Sequence, residues 1–278
     1  MMFARHGVKE NALARKTVDQ PYWWGKYTLE VGQCLQINIG KTSHAVLRQN
    51  REWQLHYNNV TDTNENDDTW QVSIRDGIGE DYEVMERYVF HQTGASLNIL
   101  PLQADRPVVT RPLSPLHIPG GEDITLYVSS PLWLQVVPAE VPVREVPIYR
   151  PSDTWFGPST MKGELCYASV THGRTELTDV PQRPHRAITP VLIRNQADSA
   201  MVLERLNLPV PYLSLYVDNN GQLWTEAVTM ARSSEKDTAT VEIGKAAPPE
   251  ARGASRVTSP RESESRNIFT STFSTLFG

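Results

Sequence analysis

Cys166 and His172 are the two residues best suited to covalent chemistry, and they lie six positions apart. A cysteine with a nearby imidazole base is the arrangement of a nucleophilic enzyme, and Asp153 or Glu164 could orient the imidazole. On an extended chain, however, six residues span about 20 Å. Cys166 also suits a small buried side chain on a strand. We therefore assign no catalytic residue and keep an enzyme that uses Cys166 and His172 as an alternative.

A loop between two strand-like segments holds these acids together with two aromatic residues. Residues 152–164 have the sequence SDTWFGPSTMKGE, in which glycine and proline predict a chain break. Because binding residues concentrate on loops, we predict a ligand-binding role for Asp153, Trp155, Phe156 and Glu164. Trp133 or Trp224 could extend the aromatic platform for a carbohydrate or another small ligand. Structurally, the same aromatic side chains would anchor the loop to the core.

Metal and nucleic-acid sites are not expected. The seven histidines have no paired ligand spacing, and the two cysteines, Cys34 and Cys166, are too few for a structural zinc site. Residues 62–68 are acidic but lack the glycine and the terminal glutamate of a calcium loop. We predict no cofactor. The net charge of −5 provides no overall basic surface for nucleic acid.

The apolar runs and the cysteine content also indicate a cellular compartment. No apolar run is long enough for a transmembrane helix, and the stretch MMFARHGVKENALARK lacks the apolar region of a secretory signal. We therefore expect a cytoplasmic protein with reduced cysteines, although a bridge between Cys34 and Cys166 stays open. A peripheral position at the inner membrane would be reached through a partner.

Apolar residues mostly alternate with polar ones, which predicts β-strands. Residues 27–31, 35–39 and 53–57 show this period of two, and the 20 prolines of the chain disfavour long helices. Asn220 and Gly221 predict a hairpin turn. We predict an all-β fold of two β-sandwich-like halves, 21–140 and 141–232, with the second packed on the first. Residues 1–20 would be a flexible arm.

The C-terminal part has a different composition. Residues 233–266 are rich in Ser, Ala, Pro, Arg and Glu, with balanced charges, which predicts a disordered linker. The final residues, 267–278, place four apolar side chains on one helical face and predict a short docking peptide. Its partner would be another protein or a second protomer; folding back onto its own domain and contact with a membrane surface stay open. The four residues are Phe269, Phe273, Leu276 and Phe277.

Four longer segments together resemble an uncharacterised prokaryotic family known only as a conserved domain of unknown function. They are WWGKYTLEVGQCLQINIG, IPGGEDITLYVSSPLWLQV, SDTWFGPSTMKGELCYAS and RAITPVLIRNQADSAMVLERLNLPVPYLSLYVDNNGQLWT. The resemblance covers residues 20–232 and omits the tail. It implies no reaction or site. It does imply a genomic context, because such proteins are often encoded beside small-conductance mechanosensitive channels.

The leading hypothesis from the sequence is thus a non-enzymatic interaction protein, an accessory or regulatory subunit that binds a membrane channel. In this mechanism the β body contacts the partner, and the tethered tail adds a second contact that raises the affinity through effective concentration. A β-sandwich that binds a carbohydrate or another small ligand is the alternative.

Overall fold

The computed structural model describes residues 15–61, 68–79, 82–157, 163–232, 238–263 and 268–272. It confirms the predicted all-β fold, because the helices in these ranges are three short 3₁₀ turns: η1 (Leu177–Asp179), η2 (Val210–Tyr212) and η3 (Pro249–Ala251). The strands are β1 (Arg15–Thr17), β2 (Gly25–Thr28), β3 (Gln33–Ile39), β4 (Thr42–Arg48), β5 (Glu52–Tyr57), β6 (Trp70–Asp76), β7 (Val84–Val89), β8 (Ser96–Gln103), β9 (Val108–Pro112), β10 (Leu116–Ile118), β11 (Asp123–Pro138), β12 (Arg144–Pro147), β13 (Ser152–Phe156), β14 (Glu164–Gly173), β15 (Arg186–Asn195), β16 (Met201–Leu203), β17 (Leu206–Leu208), β18 (Leu215–Val217), β19 (Leu223–Trp224), β20 (Val228–Arg232), β21 (Thr238–Ile243), β22 (Ser255–Thr258) and β23 (Ile268–Thr272).

The N-terminal strands form an antiparallel six-stranded sheet in the order β1-β6-β3-β4-β5-β7. Its inner face carries the alternating residues predicted for strands, including Leu35, Ile37 and Leu55, which are buried against Trp23. β1 corrects the prediction of a free arm over residues 1–20, because it pairs with β6 in register. The arm remains a prediction only for residues 1–14, which lie outside the described ranges.

The long strand β11 joins the two predicted halves. Residues 123–131 pair with β15, whereas residues 132–138 pair with β8. The result is an eleven-stranded sheet in the order β2-β8-β11-β15-β19-β18-β22, with further strands attached to β11 and β15. A strand that changes partner along its length is a common way to turn a corner between packed layers. The predicted boundary between residues 140 and 141 therefore does not coincide with a boundary between sheets.

The prediction of a disordered linker over residues 233–266 is wrong for residues 238–263. β21 pairs with β20, and β22 pairs with β18, so this segment extends the large sheet. Ala239, Val241 and Ile243 are buried in a core cluster with Val228 and Met230. The average composition of the segment is polar, but these three apolar residues alternate with polar ones. That spacing places the three side chains on the inner face of β21.

The terminal peptide is a strand over Ile268–Thr272, not the predicted helix. Phe269 lies opposite Val241 in the antiparallel pairing of β23 with β21. Three of the five residues of β23 are β-branched, which favours extended backbone, and β21 offers it an open edge. The other residues of the predicted docking face, Phe273, Leu276 and Phe277, lie outside the described residues.

Two further observations concern helix length and the cysteines. Over the ranges that the structure describes, no helix is both long and apolar enough to cross a lipid bilayer. Cys34 and Cys166 are free thiols, each buried in a different apolar cluster. The bridge that the sequence left open therefore does not form.

A small sheet in the order β13-β14-β9-β17 carries most of the residues singled out from the sequence. β13 and β14 are antiparallel, β9 runs parallel to β14, and β17 is antiparallel to β9. Successive residues of a strand point to opposite faces of its sheet. This sheet therefore has two faces with different chemistry.

Candidate functional site

The first face of the small sheet exposes an apolar pair. Trp155 on β13 lies directly opposite Leu165 on β14, and the two side chains are 42% and 44% exposed. The indole rests against Gly163, where an added Cβ would come within 2.3 Å of the Trp155 Nε1 atom. A side chain at residue 163 would thus displace the indole. Large apolar side chains that share one exposed surface mark an interaction site more often than scattered ones do.

The same face continues into an aromatic stack. Asp153 lies two residues before Trp155 and opposite Tyr167. The ring of Tyr167 lies 5.3 Å from that of Trp133, and the guanidinium carbon of Arg106 lies 5.3 Å from the centre of the Tyr167 ring. The Nη1 atom of Arg106 is also 3.1 Å from the Asp153 carboxylate. Arg106 is thus held by both a cation–π contact and an ion pair.

Tyr167 is a hydrogen-bond donor in this stack. Its hydroxyl donates to the Oδ1 atom of Asp105 at 2.9 Å. Burial raises the pKa of Tyr167 to about 12, and the hydrogen bond to Asp105 and the charge of that carboxylate act in the same direction. The phenol therefore stays protonated near neutral pH. It can position a ligand or a neighbouring side chain, but it is not a general base.

A groove of about 400 Å³ adjoins the stack and is lined by three arginines and two aspartates. Arg144 lies 3.2 Å from Glu86, which also accepts a hydrogen bond of 2.9 Å from the Tyr57 hydroxyl. Arg150 is exposed at the rim, and its side chain has no partner within the ranges that the structure describes. The groove therefore presents one guanidinium without a carboxylate partner, next to the aromatic surface.

Phe156 and Glu164 lie on the opposite face, so the structure separates them from Trp155 and Asp153. Phe156 is fully buried with Val109 and Cys166, and the Arg205 guanidinium lies 4.8 Å from the centre of its ring. The side-chain amide of Asn207 donates a hydrogen bond to the Glu164 carboxylate. Both predicted residues therefore support the sheet from this side, and neither shares a binding surface with Trp155.

The predicted alternative platform at Trp224 is also part of the interior. Its ring is buried in a small cluster with Val180 and Tyr216, and its indole nitrogen donates to Asp218 at 2.9 Å. Trp133 is buried as well, but it reaches the groove by packing beneath Tyr167. Of the two tryptophans proposed from the sequence, Trp133 alone joins the first face.

The arrangement does not assemble a nucleophile and base from Cys166 and His172. Cys166 is buried, and its closest side-chain partner is the Asn207 Oδ1 atom at 3.7 Å. Burial raises the pKa of the Cys166 thiol to about 12, and the Glu164 carboxylate adds to that effect. His172 instead lies at the surface, in a groove on the second face. Activated cysteines have a lowered pKa and partial exposure, and Cys166 has neither.

We expect both thiols of the folded protein to resist alkylation. Burial raises the pKa of Cys34 to about 11, and both sulfur atoms are inaccessible. With iodoacetamide at pH 7.5, each should react at least about 100-fold more slowly than free cysteine, because the thiolate fraction is small and access is blocked. In denaturant both should react at the ordinary rate. Rapid labelling of Cys166 in the folded state would contradict this and restore the enzyme hypothesis.

The side chains that commonly bind metal ions are also dispersed. Across the described part of the chain, no group of three or more His, Cys, Asp or Glu side chains is placed to hold a metal ion.

The sequence predicts Asp153, Trp155 and Trp133 of this face but not Leu165, Tyr167 or Arg106, although Leu165 and Tyr167 alternate along one strand. That alternation could have indicated a shared face. Their pairing with Trp155 and Asp153 depends on the register of β13 against β14, which the sequence does not specify.

Comparison with known families yields a match over most of the chain. The family model described as "Protein of unknown function (DUF432)" matches residues 23–277. No curated protein and no solved structure matches the chain. The matched region extends past residue 232, where the resemblance noted from the sequence ended, and it includes the strands β21 to β23. This extent agrees with their integration into the large sheet.

Proposed function

We propose that this protein, which belongs to the DUF432 family of proteins of unknown function, is a non-enzymatic interaction protein that binds another protein. The observation that carries the proposal is the exposed pair of Trp155 and Leu165 on the first face of the small sheet. This proposal assigns the contact surface to the β body. Any contribution of the C-terminal residues Phe273, Leu276 and Phe277 stays a prediction.

The composition of this surface supports the proposal. Binding energy at protein interfaces concentrates in tryptophan, tyrosine and arginine side chains that become fully desolvated on association. Trp155 and Leu165 supply the apolar centre, and the ion pair of Arg106 with Asp153 lies beside them as part of a polar rim. Because the Trp155 indole packs against Gly163, little conformational entropy of this side chain is lost on binding.

The surface also indicates the chemistry of the partner. An apolar side chain would cover Trp155 and Leu165, and an acidic group would reach the guanidinium of Arg150 in the adjoining groove. The genomic context that the family resemblance implies makes a small-conductance mechanosensitive channel the candidate partner. In that case the protein would be a cytoplasmic accessory or regulatory subunit, held at the inner membrane by the channel.

Replacement of Trp155 should weaken this association. In an equilibrium binding assay between the full chain and the purified, detergent-solubilised channel, we expect Trp155→Ala to raise Kd at least about tenfold, because a central aromatic anchor is lost. Leu165→Ser should act in the same direction with a smaller effect. The melting temperature of each variant shows whether the fold is intact.

Val202→Ser is a matched control, since Val202 is also 44% exposed but lies on β16, outside the small sheet. It should leave Kd unchanged. An equal loss for Trp155→Ala and Val202→Ser would contradict the assigned surface. Absence of binding by the unmodified chain would contradict the channel as partner.

A further inference from the structure

The second face of the small sheet brings an imidazole and a guanidinium together through an irregularity in strand pairing. β14 and β9 pair in parallel, with Ala168 opposite Val109 and His172 opposite Arg111. Four positions of β14 therefore span two positions of β9. Without this shift, Arg111 would face Val170. Such irregularities re-aim side chains and are enriched beside functional sites.

A second guanidinium lies close to this pair. β17 is antiparallel to β9 and pairs Leu206 with Thr110, and Arg205 immediately precedes β17. The guanidinium carbon of Arg205 lies 4.8 Å from the centre of the Phe156 ring, which holds the side chain over the second face. His172, Arg111 and Arg205 thus form a row that lines one groove.

The row lines a groove of about 620 Å³, together with residues 112–115 and Glu204. Within the described ranges, neither Arg111 nor His172 has a side-chain partner. Arg111 and Arg205 are both cationic, and like charges close together on a sheet are destabilising. An anion bound in the groove would remove the unfavourable interaction.

We propose that this groove binds a phosphate group, carried either by a soluble phosphorylated compound or by a lipid headgroup. Arginine guanidinium groups form paired, charge-assisted hydrogen bonds with phosphate oxygens, and Arg111 and Arg205 approach the groove from adjacent strands. His172 supplies a further donor, and Ser114 also lines the groove. The Glu204 carboxylate opposes the bound charge and limits the affinity. The site is independent of the interaction surface, which occupies the other face of the sheet.

The test uses the full chain in two arms. In the first arm, inorganic phosphate is titrated by calorimetry. In the second, the protein is sedimented with vesicles of phosphatidylglycerol in phosphatidylcholine. In the arm that shows binding, Arg111→Gln and Arg205→Gln should each weaken it roughly tenfold, since a charge-assisted contact is lost. Glu204→Gln should strengthen it, because a repulsive carboxylate is removed. Arg252→Gln, at an exposed arginine outside the groove, should change it less than about twofold.

The two arms identify the source of the phosphate. Leu113 is 66% exposed in the wall of the groove, so Leu113→Ser should weaken vesicle binding if a lipid headgroup is the ligand. It should leave the phosphate titration unchanged if the ligand is soluble. Binding in neither arm would overturn the proposal. Equal effects of Arg111→Gln and Arg252→Gln would also overturn it, because only a general charge effect would then remain.

Discussion

The free energy of unfolding is expected to fall as the pH is lowered from about 6.5 towards about 4, because of His44. Its ring is fully buried beside Tyr57, and neither ring nitrogen has a hydrogen-bond partner in the described part of the chain. Burial lowers the pKa of His44 from 6.5 to about 4. The folded state therefore keeps the ring neutral over a range in which the unfolded state binds a proton. This shift corresponds to a loss of about 3 kcal/mol.

His185 acts in the same direction at a second place in the core. It is buried against Tyr149, with the two ring centres 4.6 Å apart. Burial lowers the pKa of His185 to about 3, and the charges of Arg186 and Arg183 lower it further. The stability that these two neutral histidines contribute is fully present above pH 6.5. It is lost progressively as the pH falls through the range between the unfolded and folded values.

The measurement is urea unfolding of the full chain at several pH values between 7.5 and 4.5. Replacement of His44 by leucine removes one titrating group and keeps an apolar side chain of similar reach. The dependence of stability on pH should therefore become shallower, and the part due to His185 should remain. His117→Gln is the control, because His117 is exposed on β10 and its replacement should leave that dependence unchanged. The wild type and the two variants have the same carboxylates. The contribution of these carboxylates therefore cancels in the difference between any two unfolding free energies at the same pH. An identical pH dependence for the wild type and the His44 variant would contradict the assignment.

The sequence was informative about the strands because a period of two is a local property. The alternation at residues 35–39 and 53–57 predicted β3 and β5, and both strands bury the expected side chains. Ala239, Val241 and Ile243 show the same alternation. The composition averaged over residues 233–266 is polar, however, and it predicted disorder. The alternation of these three residues was the better indicator, because they lie on one buried face of β21.

Both candidate sites are formed by strands that are distant in the sequence, so their composition depends on strand pairing and register. Trp155 was predicted as a binding residue from its loop, whereas its partner Leu165 follows from the register of two strands. The row of His172, Arg111 and Arg205 requires both a shifted parallel pairing and a third strand from a distant part of the chain. Strand pairing over such separations is set by packing of the whole sheet. The sequence alone therefore did not predict that His172 shares a groove with Arg111 and Arg205.

Replacement of Val241 by aspartate should destabilise the whole protein, although the residue lies in the segment expected to be a linker. Val241 is fully buried in the core cluster that contains Val228 and Met230. An unpaired carboxylate at this position would lose its hydration without gaining a partner, which costs on the order of 5 kcal/mol. Such a loss is comparable to the total stability of many domains. We expect a melting temperature lowered by at least about 10 °C, or no cooperative transition.

Thr240→Asp provides a matched control, because it introduces the same charge one residue earlier on the exposed face of β21. Its effect should stay within about 0.5 kcal/mol, as for other surface substitutions. Val241→Ala gives a variant that still folds, with an expected loss of about 2 kcal/mol from the cavity that it creates. If residues 238–243 were a linker outside the core, all three substitutions would leave the melting temperature unchanged. Equal melting temperatures for Val241→Asp and Thr240→Asp would therefore contradict the placement of β21 in the sheet.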